Sequence, residues 1–245
     1  MRPSIVRRAV VRRRALRGGA MSTAPSQPIG GSTLPGKPRL RGVSHQWAFV
    51  VSLACGGALI TFAPRGRAVL AAAIYASAVS ALLGTSTLYH RVNWRPAARR
   101  WMRRLDRSMI YVLIAASYTP FALLALHGTL ATVVLLVVWI GAGGGIALQL
   151  VWPDHPKWVA VLVSVALGWV AVSTLTQLPG TIGWGAIGAL VASGALYTTG
   201  GVIYARERPN PKPGVFGYHE LFHAFVLAAA AIHYAVVAFV VLPLG

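Results

Sequence analysis

Seven apolar runs follow one another along the chain, at about 47–62, 68–89, 107–126, 129–151, 158–176, 182–204 and 218–242. Each is close to the ~20 residues that a helix needs to cross the hydrocarbon core. Helix-breaking residues separate the runs: Pro64 with Gly66, Pro96, Gly128 after His127, Pro153, Pro179 with Gly180, and a Pro- and Gly-rich cluster at 209–214. The pattern predicts an all-α polytopic membrane protein with seven transmembrane helices over 47–245, preceded by a polar segment over 1–46. Glycines at 141, 143, 144, 145, 185 and 188 are expected at close helix contacts, where a missing side chain lets backbones approach.

Composition agrees with that pattern. Hydrophobic residues make up 56% of the chain and charged residues 11%, and the charges gather in short blocks between uncharged runs. A soluble domain of this length needs a polar surface that the sequence does not supply. The formal net charge of +19 would suit nucleic acid only if it lay on an exposed face of a folded soluble module. Here it flanks the apolar runs, so no nucleic-acid partner is expected. The single cysteine, Cys55, excludes a disulfide within the chain.

Charge also predicts orientation. The segment 1–46 holds ten Lys and Arg, the 90–107 connection seven, and the fourth-to-fifth and sixth-to-seventh connections four more, against Arg65 and Arg67 alone on the other side. The positive-inside rule then places the N-terminus in the cytoplasm and the C-terminus outside. Residues 2–17 are an arginine block without the apolar core or cleavage site of a secretory signal. Residues 20–38 are rich in Gly, Ser, Thr and Pro, and the whole tail is expected to be disordered. Met21 is a second candidate start of translation. Five arginines beside Trp94 and Trp101 in the 94–104 loop suggest an interfacial helix on anionic inner-leaflet lipids.

Against this apolar background, polar groups inside the runs stand out. The chain has only four acids, Asp106, Asp154, Glu207 and Glu220. An ionisable group at membrane depth costs about 2.5–3.5 kcal/mol on insertion scales, so each one marks a functional site by default. His219 and His223 are four apart, about 40° in azimuth and ~6 Å in rise on a helix, so both imidazoles can reach one ion. With the N-terminus inside, His90 at the end of the second run, Asp106 at the start of the third and His219 at the start of the seventh arrive at one depth. Ser86 lies one turn from His90 on the same face. Three imidazoles suit zinc, which catalytic sites hold by three protein ligands with one position open, and such an ion activates water near neutral pH. Asp106 then accepts the water's proton or orients the water, and Ser86 is a hydrogen-bonding partner of water or a substrate carbonyl.

The remaining polar groups are read as follows. Glu220 completes an H-E-x-x-H pattern, in which it is a general base, or it favours the helix N-terminus as a carboxylate; the second role is preferred. His233 lines a lipid cavity or packs against a neighbouring helix. His127 and His155 fall in loops outside the constellation. No lysine lies within a run to form a retinal Schiff base.

Three segments carry a family resemblance: STLYH at 86–90; LD at 105–106 with SYTP at 117–120; and FGYHELFH at 216–223 with His233 ten residues on. In that order the chain resembles the hemolysin III proteins, the bacterial branch of the progestin and adipoQ receptor family, which is related to alkaline ceramidases. The resemblance implies a zinc ion held by His90, His219 and His223, with Ser86 and Asp106 beside its water, and seven helices with an inward N-terminus. One departure is visible. Many bacterial relatives carry Glu and Asn before the histidine that matches His45, whereas this chain reads KPRLRGVS at 37–44, so His45 is left outside the expected site. The functional expectation is a zinc-dependent hydrolase of a lipid amide or ester. The alternatives are a lipid receptor or membrane-perturbing protein with structural zinc, and an intramembrane metalloprotease.

Overall fold

The computed structural model describes residues 38–245. The expected disorder of the tail up to residue 37, its arginine block and the second start at Met21 lie outside the described residues. The described chain forms seven helices, each long and apolar enough to cross a membrane. They are α1 (Val43–Phe62), α2 (Arg67–Arg91), α3 (Pro96–Leu124), α4 (Gly128–Val151), α5 (Lys157–Gly168), α6 (Leu178–Arg206) and α7 (Tyr218–Val236). A 3₁₀ segment, Trp169–Thr176, prolongs α5, and a π turn over Val237–Val241 prolongs α7. The fold is all-α, and the protein is a multi-pass membrane protein.

Apolar residues face outward as well as inward. Phe62, Ile140 and Phe239 are among the most exposed side chains, at 85%, 70% and 78%, which suits a lipid solvent rather than water. Small residues fill the interior instead. Ala68, Ala71, Ala72, Ala76 and Ala78 of α2 are all buried, and α2 packs between α1 and α3. Of the glycines expected at contacts, Gly141 and Gly145 hold that role: a Cβ there would stand 2.3 Å from Leu167 and 2.4 Å from the Tyr111 ring. Gly143, Gly144, Gly185 and Gly188 meet nothing within 4 Å, so helix approach does not explain them.

Two boundaries differ from the hydropathy reading, and both bear on the site. First, α1 begins at Val43, and the preceding residues lie along the approach to α7. The Arg39 and Leu40 amides donate to the Gly214 and Val215 carbonyls at 3.0 and 3.2 Å. Second, the 94–104 segment is neither a loop nor a separate interfacial helix. From Pro96 it forms the first turns of a continuous 29-residue α3, about 43 Å long at 1.5 Å per residue and so longer than the ~30 Å hydrocarbon core. Pro96 suits the first helical position, and alanine and arginine are good helix formers.

The α5 segment changes geometry where Tyr118 of α3 meets it. The Tyr118 hydroxyl donates to the Leu167 carbonyl at 3.1 Å and accepts the Ala171 amide at 2.8 Å. It thereby engages backbone groups on both sides of the switch from α to 3₁₀.

Candidate metal centre and adjoining cavities

The site forms where the last turn of α2 meets the first two turns of α7. His90, His219 and His223 offer ring nitrogens that all lie within 4.8 Å of one another. The Nε2 atoms of His90 and His219 are 3.2 Å apart. Two ligands on a tetrahedral zinc at 2.0–2.1 Å stand about 3.3 Å from each other, so this separation matches one edge of such a site. His223 Nδ1 is buried without a hydrogen-bond partner. A neutral imidazole pair in this packing needs a shared proton or a cation between its lone pairs, and the donor set of three imidazoles fits zinc.

Around the histidines stands a second set of polar groups. The His45 ring stacks on the His223 ring at 3.7 Å between centroids, with planes 11° apart. Its Nδ1 lies 2.8 Å from Ser86 Oγ, and Ser86 lines the same cavity as Asp106. His45 and Ser86 therefore link α1 to α2, with Asp106 of α3 on the same cavity wall. His45 is 3% exposed, so it belongs to the interior of the site, contrary to its exclusion on sequence grounds. The altered residues before it do not displace it: Gly42 takes φ +78°, and a Cβ there would meet His90 Cβ at 2.6 Å. Only glycine fits both that turn and that approach.

Glu220 is occupied elsewhere. One carboxylate oxygen pairs with Arg41, and the other accepts the Gly217 amide at 2.8 Å, which caps α7. The H-E-x-x-H spacing is present without a free general base. His233 Nε2 lies 3.4 Å from the Ser117 carbonyl oxygen, which fits the packing role, and the residue also lines the inner cavity. His155 is buried and hydrogen-bonds Gln149 at 3.2 Å. It is a structural loop residue, while His127 is exposed.

Two cavities meet at the histidines. The inner one, of ≈ 310 Å³, is lined by His219, His223, Ser86 and Asp106 at one end and reaches Phe121 of α3, about 22 Å away along that helix. Its walls are largely Val, Leu, Ile, Phe and Tyr, and its size is that of a small-molecule site. The outer one, of ≈ 240 Å³, is lined by Arg41, Arg99, Arg103, Arg107 and Lys157 together with His90 and His219. Asp106, Arg107, Lys157, Tyr204 and His219 belong to both.

Fold and site together define a class: seven-helix membrane proteins with a tri-histidine cluster at one end of an apolar cavity. The haemolysin-III related family model matches residues 35–234, and the chain belongs to that family. It is similar to hemolysin-3 of Bacillus cereus, 31% identical over 72% of this chain and 77% of the relative. It is also similar to a hemolysin-3 homolog of Bacillus subtilis, 28% identical over 77% of this chain and 87% of the relative. Human monocyte to macrophage differentiation factor is 30% identical over 66% of each chain.

Proposed function

We propose that this protein is a zinc-dependent hydrolase of a lipid amide or ester. The observation that carries the reading is the shared wall. Asp106 and His219 line both the apolar cavity and the polar one, with Ser86 and His223 on the apolar side and His90 on the polar side, and an acyl linkage between chain and headgroup would rest there. His90, His219 and His223 would hold the ion. When bound, zinc supplies Lewis acidity and water activation at neutral pH. Asp106 is the group that takes the proton, on a wall it shares with Ser86 and His45. Ser86 also has a hydroxyl at hand for a substrate carbonyl. The inner cavity receives the hydrocarbon chain and keeps bulk water from it.

The arginine asymmetry supports an inward N-terminus and therefore a site at the inner leaflet of a bacterial plasma membrane, with the first turns of α3 against anionic lipid. A lipid receptor or membrane-perturbing protein would use the same cavity with zinc stapling α2 to α7. The metalloprotease reading loses its base, because both Glu220 oxygens are engaged. Purified zinc-loaded protein incubated with ceramides, other acyl amides and esters should release fatty acid. Zinc-loaded protein that releases none from the whole panel supports the receptor or stapling reading.

A further inference from the structure

The outer cavity carries more positive charge than its setting requires. Its lining holds five cations and one carboxylate, Asp106. Three of the cations are held from behind, Arg41 by Glu220, Arg103 by Asp154 at 2.8 Å and Lys157 by Glu207 at 2.9 Å. That uses every acid in the chain except Asp106. Asp106 is the one acid left for Arg99, which stands over the Tyr89 ring, and for Arg107, which also donates to the Pro153 carbonyl at 3.2 Å, so the cavity keeps net positive charge even with all its acidic partners counted. Topogenic arginines need only sit near the membrane surface; these share a lining with the histidine cluster and with the apolar cavity behind it.

Donors face the same space. Lys157 Nζ donates to the Tyr218 hydroxyl at 2.8 Å, which leaves the tyrosine hydrogen for another acceptor. Arginine forks and tyrosine hydroxyls are the groups that recognise phosphate and carboxylate oxygens. We infer that the outer cavity is a headgroup subsite for a single-chain lipid with an anionic oxygen-bearing head, its hydrocarbon lying in the inner cavity. This rests on reading the site as one that receives a lipid. It specifies that the lipid is anionic rather than neutral.

The test reads binding and not turnover, so its outcome is separate from whether the protein hydrolyses anything. Full-length zinc-loaded protein in neutral detergent is titrated at low salt with dodecyl phosphate, dodecanol and inorganic phosphate. Dodecyl phosphate should bind at least about tenfold more tightly than dodecanol, with the preference falling as salt rises. Inorganic phosphate alone should bind far more weakly than dodecyl phosphate. The variant Arg99→Gln/Arg107→Gln should lose the preference while keeping its zinc and its affinity for dodecanol. Arg95→Gln/Arg100→Gln removes the same charge from exposed positions outside the lining and should keep the preference. If the first double variant does not fold, Arg99→Gln alone should reduce the preference severalfold. Equal affinity for dodecyl phosphate and dodecanol overturns the inference, as does a preference that survives loss of Arg99 and Arg107. Inorganic phosphate binding as tightly as dodecyl phosphate overturns its lipid part.

Discussion

The imidazole of His45 lies flat on that of His223, 3.7 Å away, and joins a metal-ligand candidate on α7 to Ser86 on α2. His45→Phe should keep the stack, zinc content and melting temperature, yet slow turnover, because Ser86 loses its fixed partner. His45→Ala should also lower stability by about 2–4 kcal/mol through the cavity it leaves. Unchanged turnover in the phenylalanine variant, measured by fatty acid release, would remove His45 from the working site.

Zinc binding should depend on segments far apart in sequence. Alanine at His90, His219 or His223 should each reduce metal content and melting temperature, since ligand binding contributes folding energy. His127→Ala should change neither. His155→Ala should lower the melting temperature and leave zinc in place, because His155 bonds Gln149 and not the cluster. Metal analysis beside thermal unfolding separates these outcomes. Full zinc retention in all three ligand variants would refute the metal centre.

Gly42→Ala should be unusually costly for so small a change. Left-handed backbone costs an alanine about 1–2 kcal/mol, and the added methyl meets His90 Cβ at 2.6 Å. Reduced stability together with weaker zinc binding is expected. Loss of stability with unchanged zinc affinity would mean that Gly42 does not position His90.

Much of this was legible in the sequence. Seven apolar runs, three histidines and Asp106 stood out because polar groups within such runs are rare and the i,i+4 spacing of His219 and His223 is local. Partnerships made only in three dimensions were not legible. His45 is a lone histidine after an arginine-bearing stretch, and its role emerges only once residues 38–42 run beside 214–215 and bring Arg41 to Glu220. Hydropathy sets the start of α3 apart as an interfacial helix because it weights arginine as polar, although arginine favours helix and the segment continues into the span. The 3₁₀ stretch after Gly168 leaves no periodic signal, since it follows from the Tyr118 contact with α5.

Orientation has its own test. In a background lacking Cys55, cysteines placed at Arg95 or Arg100 should resist impermeant thiol reagents in intact cells and react once the membrane is opened. Labelling from outside intact cells would reverse the proposed topology and move the site to the opposite leaflet.

The central claim is tested most directly by Asp106→Asn. This change keeps the size and polarity of the side chain but removes the proton acceptor. Zinc content should stay near that of the unaltered protein, while fatty acid release from the best lipid amide or ester substrate falls by about 10²- to 10⁴-fold, the usual cost of losing a general base. Equal turnover in the zinc-loaded variant would contradict the assignment of Asp106 as the group that takes the proton.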